Sequence, residues 1–270
     1  MTGPDYGGGW ADTDVAVATP ARRIAARDLP LWLFAILAVL GLMAVIIATE
    51  ASFAEAFEVI IPGISLTIGI TIASFLISIV IGLVAGLGRI SRNFVIRNVA
   101  ITYIEFIRGV PIVVLILMIA FVLVPSASRL FGFANNAIPQ EARFIVALSV
   151  IYGAFIAEVF RAGVEAVPKG QMEAGRSLGL THAQTMRSIV LPQAIRTVLP
   201  ALGNDFISLL KDSALATLLG VRDLTQSARL YTGTSFRFDE AFMVLTFLYL
   251  SMTLVLSLLV QQLQRALGRG

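Results

Sequence analysis

Six long apolar runs constrain this chain more than any other feature, at about 31–48, 60–87, 112–124, 144–160, 198–221 and 241–260. A helix crossing the hydrocarbon core of a bilayer needs roughly 20 apolar residues, and only helices or closed barrels satisfy their backbone groups there. The runs therefore predict an all-α fold, a polytopic membrane bundle of about six transmembrane helices. The third run is short, and 101–107, on the near side of Pro111, lengthens it. Composition agrees. The chain is 57% hydrophobic and 14% charged, whereas a soluble domain is roughly 45–50% apolar and about 25% charged. Too few charged side chains remain to wet the surface of a soluble globule.

The ends of the chain differ from its middle. Residues 1–30 are rich in Gly, Ala, Asp and Thr and close on Arg22, Arg23 and Arg27; they read as a flexible tail. The run at 31–48 is too long for a signal peptide, despite the Ala54-x-Ala56 pattern downstream, and reads as a retained first span. Residues 265–270 form a second short tail. Lysine and arginine concentrate in cytoplasmic loops of membrane proteins. With the N-terminus inside, 14 of the 20 basic residues fall on the cytoplasmic side, 5 outside and Lys211 within a span. Both termini are therefore placed in the cytoplasm.

Several chemistries are excluded. The chain has no cysteine and one histidine, His182, so disulfides, a thiol nucleophile and a histidine-built metal centre are ruled out. No metal or other cofactor is expected. A net charge of +3 with basic residues scattered between apolar runs gives no nucleic-acid surface. No nucleophile and base gather as a membrane enzyme requires. The sequence contains no G-x-x-x-x-G-K-[ST]; its lysines stand in Pro168-Lys169-Gly170 and Leu210-Lys211-Asp212, so nucleotide phosphates are not cradled by that route.

Within the second run, Ser78, Gly82 and Gly86 recur every four residues, a small-residue face for close helix packing. The longest polar cytoplasmic stretch, 161–196, reads as two short helices. The first is predicted from Gln171 to Leu178, stopping at Gly179. Thr181-x-x-Gln184 is a capping box that opens the second. Pro192 and Pro200 mark re-entry into the membrane. Periodicity alone leaves open whether this hairpin docks a partner or lays Met172, Leu178, Leu180, Met186 and Ile189 on lipid.

The spacing bears on that choice. Glu173-Ala174-Gly175, three residues, Gly179, nine residues and Ile189-Val190-Leu191-Pro192 resemble the cytoplasmic "EAA" loop of ABC importer permeases. The sequence departs from the pattern at Gly175, where the family has a second alanine. Glycine in a helix interior costs about 0.5–1 kcal/mol relative to alanine, so a looser docking helix is expected. Further segments are similar to the polar amino acid branch: Pro62-Gly63-x-x-x-Thr67, Glu105-Phe106-x-Arg108-Gly109-x-Pro111, Ala157-Glu158-x-x-Arg161, Pro168-Lys169-Gly170-Gln171 and Asn204-x-x-x-Ser208-x-x-Lys211-x-Ser213. The resemblance covers about residue 55 to the end, and implies a permease domain at 55–264 preceded by an additional helix at 31–48.

It also implies a role and partners. A permease of this family sits in the bacterial inner membrane, receives substrate from an extracytoplasmic solute-binding protein, pairs with a second permease subunit, identical or related, and is driven by separate cytoplasmic ABC ATPase subunits. Glu173, Ala174, Gly175, Leu178, Gly179, Ile189, Leu191 and Pro192 would form the ATPase-docking surface, with Gly179 as its pivot. The substrate implied is an amino acid.

The fifth run carries Asn204, Asp205, Ser208, Lys211 and Asp212. Asn204, Ser208 and Lys211 share one helical stripe with the aspartates beside it, and ionisable groups at that depth face a cavity, a partner or each other. Two readings stand: Lys211 meets a substrate carboxylate and an aspartate its ammonium, or Lys211 and an aspartate neutralise one another. Glu105 with Arg108, and Glu158 with Arg161, are expected as i,i+3 salt bridges anchoring helix ends. His182 is expected in solvent. Trp10 lies in the tail, and Trp32 and Tyr231 suit interfacial anchoring. Two rival functions use the same features. An ion-gradient-driven transporter of a small zwitterion would show two similar halves, and no internal repeat is evident. A non-transporting scaffold leaves the polar stripe without a purpose.

Overall fold

The computed structural model describes residues 31–132, 134 and 137–267. The tail 1–30, with Trp10 and three of the arginines, lies outside them. The chain divides into two units, 1–39 and 40–270, within the first helix. That helix, α1, is Leu31–Thr49; Trp32, in the first unit, is exposed.

The rest is helical. A short helix α2, Ala51–Ile60, leads into the long α3, Gly63–Arg89. Then come α4, Phe94–Gly109, and α5, Ile112–Leu130. The next, α6, is Gln140–Glu165, and the hairpin helix α7 is Lys169–Ser177. Helix α8 starts as His182–Thr185, widens into a π turn at Met186–Val190 and runs on as Leu191–Asp212. After a 3₁₀ segment, Ser213–Leu219, come α9, Leu224–Ser235, and α10, Phe238–Leu267. Five helices are long and apolar enough to cross a membrane: α1, α3, α5, α6 and α10. The sixth expected span is α8, whose apolar run is interrupted by Arg196, Asp205, Lys211 and Asp212.

One expectation about a helix break is corrected. Residues 101–107 do not lengthen the third span. They belong to α4, which ends before Val110, held extended at φ −111° and ψ 139°. The ring of Pro111 forces this, because it clashes with a helical preceding residue. Pro192 and Pro200 lie inside the continuous helix α8. Proline removes one backbone donor and crowds the carbonyl four residues back; a π turn immediately before Pro192 widens the helix there. The same device precedes Pro125, where a π turn spans Ile119–Leu123.

Helices α3 and α6 form the most extensive seam. A Cβ on Gly82 would lie 2.5 Å from Ile156 Cγ2, and one on Gly153 would lie 2.5 Å from Ile81 Cγ2. The Ser78 hydroxyl donates to the Ser74 carbonyl at 2.7 Å and lies 3.2 Å from the Ser149 carbonyl. The small-residue face is thus a packing surface, matched by Ser149, Gly153 and Ala157 on α6. Close backbone approach and dispersion hold such seams in lipid, where no hydrophobic effect drives helices together. Around α6 the larger core gathers Ile70, Leu115, Phe144, Leu148, Ile151 and Leu209. A second core joins Ala56 and Ile60 of α2 to Leu224, Ala228 and Tyr231 of α9 and Val244 of α10. Tyr231 is therefore a core residue, 5% exposed, and not an interfacial anchor. Its place on the inner face of α9 decides this.

Candidate functional site: a capped hairpin and a polar stripe

The hairpin between α6 and α8 is built from local hydrogen bonds. At the end of α7, Leu180 N–H donates to the Gly175 carbonyl at 3.2 Å and Gly179 N–H to the Arg176 carbonyl at 3.0 Å. With Gly179 at φ +83°, this is a Schellman closure, whose left-handed residue is glycine because a Cβ is disfavoured there. Two residues on, Gln184 N–H donates to Thr181 Oγ1 at 3.3 Å and Thr181 N–H to Gln184 Oε1 at 2.8 Å. The expected capping box is formed, satisfying two orphan donors reciprocally. Helix α7 starts two residues earlier than predicted, directly after Pro168, which is extended at ψ 132°.

Gly175 is not a point of looseness. A Cβ there would lie 2.5 Å from Thr185 Cγ2 and 3.0 Å from Ile189 Cδ1, so the missing methyl lets α7 and α8 close on each other. Gly175 is buried and Ile189 half-buried, inside the hairpin. Glu173, Ala174, Leu178 and Gly179 stand outside it, Leu178 at 81% exposure. Leu191 and Pro192 are exposed on α8, and His182 is exposed at its start. The predicted set thus splits into an outer face and an inner hinge of contacts.

Next to the hairpin, five charges tie α3, α4 and α6 together. Arg89 Nη1 lies 2.5 Å from Glu158 Oε1 and 3.2 Å from Glu105 Oε1. Arg161 Nη2 lies 2.8 Å from Glu158 Oε2, and Arg161 also pairs with Glu165. The expected pairing of Glu158 with Arg161 forms. That of Glu105 with Arg108 does not, since Arg89 from α3 takes Glu105 instead.

Helix α8 carries the polar stripe, with Phe206 edge-on to Phe75 of α3 at 4.9 Å between ring centroids. Asn204 and Lys211 are exposed and Ser208 is half-buried. Among the described residues Lys211 makes no ion pair. Asp212 Oδ2 instead accepts from the Tyr152 hydroxyl of α6 at 2.7 Å, and Asp205 Oδ2 is buried with no hydrogen-bond partner. The neutralisation of Lys211 by a neighbouring aspartate is absent. Tyr152 was missed by sequence reasoning; its signal was a phenol inside an apolar run, whose hydroxyl needs a partner when buried.

Beyond the spans, Asp223 caps α9, accepting from Gln226 N–H at 2.8 Å. It is fully buried, and burial pushes its carboxyl up to about 6.

Residues 78–270 match the family described as binding-protein-dependent transport system inner membrane component. The chain belongs to this family. It is 37% identical over 210 residues to the glutamine transport system permease protein GlnP of Escherichia coli, covering 78% of this chain and 93% of that one. It is 35% identical to the L-cystine transport system permease protein TcyB of Bacillus subtilis, covering 77% and 86%. A crystal structure of an amino acid ABC transporter with histidines aligns with TM-score 0.72 and 37% identity, over 80% of this chain and 97% of that chain. The chain is accordingly a multi-pass, all-helical membrane permease subunit.

Proposed function

We propose that this chain forms, with a second permease subunit, the path by which an ATP-driven importer carries an amino acid across the bacterial inner membrane. Residues 55–264 are its permease domain and 31–48 an additional helix, with both termini cytoplasmic. An extracytoplasmic binding protein delivers the amino acid, and cytoplasmic ABC ATPase subunits supply the energy. The exposed face of α7 carries this reading: Glu173, Ala174 and Leu178 stand in the open on a helix closed at its C-terminal end by the turn at Gly179, on a chain with no phosphate loop of its own. A rigid, exposed helix with small residues is suited to a cleft in a partner, and rigid-body movement of it is the form such switching takes. Along the path, Lys211 and Asn204 meet the substrate carboxylate, and Asp205 or Asp212 its ammonium. The surplus of acid over base in that set suits a zwitterion or a cation.

Reconstitution with the ATPase in vesicles tests this. Uptake should follow internal ATP hydrolysis and ignore an imposed ion gradient. Glu173→Lys should abolish co-purification of the ATPase and reduce uptake at least about tenfold, equivalent to roughly 1.4 kcal/mol of lost coupling, with the membrane fold intact by its thermal transition. Lys211→Ala should reduce uptake comparably while leaving ATPase association unchanged. Normal assembly and transport by Glu173→Lys would sink the docking assignment.

A further inference from the structure

Where α3 turns back into α4, an apolar groove lies open along the two helices. Its volume is about 590 Å³, and Val80, Val84 and Gly88 of α3 line it with Val95, Ile96 and Val99 of α4. The valines and Ile96 are each more than half exposed. At its floor the helices approach closely, since a Cβ on Gly88 would lie 3.0 Å from Ala100 Cβ. The polar group at its far end is the Tyr103 hydroxyl, which donates to the Val150 carbonyl of α6 at 2.5 Å. The walls therefore offer no free side-chain hydrogen-bonding group.

The length of the groove fits a bilayer. Val80 to Gly88, like Val95 to Tyr103, is eight residues of helix, about 12 Å. One leaflet of hydrocarbon is about 15 Å deep, half of a core of about 30 Å. The groove thus has nearly the depth of one leaflet.

The end at the α3–α4 turn is basic. Arg92 and Arg97 are both exposed there, and among the described residues neither makes an ion pair. No acidic residue stands between Arg89 and Glu105 in the sequence, and those two pair with each other. Arg89 is spent on Glu105 and Glu158, so the two cations beside it keep their charge uncompensated at the mouth of an apolar cleft.

Groove and cations together select the occupant. Hydrocarbon alone would fill the groove and leave both arginines to water. Inorganic phosphate would meet the arginines and leave the groove bare. A phospholipid whose headgroup carries net negative charge supplies both parts in one molecule, and basic clefts between membrane helices on the cytoplasmic side are suited to such headgroups.

We infer that the α3–α4 groove is a binding site for an anionic phospholipid, with an acyl chain along Val84 and Val99 and the phosphate held by Arg92 and Arg97. The inference goes beyond the transport reading and takes from it the orientation alone, which sets these arginines at the inner leaflet. A seated lipid braces α4 against α3 beside the Arg89–Glu105 pair.

The test uses the full chain in phosphatidylcholine vesicles containing rising fractions of a brominated lipid, whose bromine quenches a nearby dye. Because the chain lacks cysteine, Val99→Cys carries one bimane at the groove, and Leu259→Cys carries one on α10, where Leu259 is 54% exposed. At Val99, brominated phosphatidylglycerol should reach half-maximal quenching at a mole fraction roughly tenfold below that of brominated phosphatidylcholine. At Leu259 the two lipids should quench alike. Arg92→Gln with Arg97→Gln should abolish the preference at Val99. Raising the salt to about 0.5 M should weaken it with both arginines in place, because exposed charges are screened, and this arm needs no charge variant to fold. Equal quenching by the two lipids at Val99, or a preference that survives high salt and the loss of both arginines, would overturn the site. Absence of quenching at Val99 while Leu259 responds would overturn it too, assigning the groove to another protein chain. A preference of the same size at Leu259 would overturn it by reducing the effect to the general attraction of a basic protein for anionic lipid.

Discussion

The α7–α8 hairpin and the α3–α6 seam both depend on glycines that admit a neighbour, yet they are held in opposite ways. In the hairpin, Gly179, Thr181 and Gln184 close two helix ends within ten residues by hydrogen bonds to nearby backbone. In the seam, Gly82 meets Ile156 and Ser78 meets the Ser149 carbonyl, some seventy residues away. A local motif carries its own partner, whereas a seam depends on the whole bundle. The hairpin can thus keep its shape while the bundle beneath it repacks.

Breaking the seam should cost most. Gly82→Leu forces a branched side chain onto Ile156 and the Ala157 backbone, 3.1 Å from even a Cβ; overpacking costs typically 1–3 kcal/mol. The purified protein should melt several degrees lower or fail to insert, and an unchanged melting temperature would contradict the close approach. Gly179→Ala should be milder. An alanine at φ +83° pays about 1–2 kcal/mol, confined to the hairpin, so ATP hydrolysis per molecule transported should rise while the thermal transition of the bundle stays put. Equal losses in both would erase the contrast between the two regions.

Asp223, whose effect appears only as pH changes, sharpens the comparison at the other end of the molecule. Its folded value of about 6 exceeds the usual carboxyl value of about 3.9, so the folded state binds the proton more tightly. Stability from this group is full below about pH 4 and is lost as pH rises through about 6; the shift corresponds to on the order of 3 kcal/mol. Asp223→Asn keeps an acceptor for Gln226 N–H, and should remove that slope and raise the melting temperature above pH 6. A slope retained in the variant would place its origin elsewhere.

What was legible in the sequence follows the same division. The helix stop at Gly179, the capping box and the small-residue face each rest on spacing within a few residues, and each is present. Glu105 with Arg108 obeyed the same local rule and lost to Arg89, which arrives from another helix. Tyr152 at Asp212 and Tyr231 in the second core were hidden for that reason: both partners are distant along the chain. The π turn before Pro192 was hidden differently, since no residue in Met186–Val190 announces it. Gly175 was judged by helix propensity alone, when its contact with Thr185 outweighs that term.

A continuous helix runs from His182 to Asp212, about 45 Å at 1.5 Å per residue. Bending between the capped tip and Lys211 is confined to the π turn and to Pro200, the two places where its ladder of hydrogen bonds is interrupted.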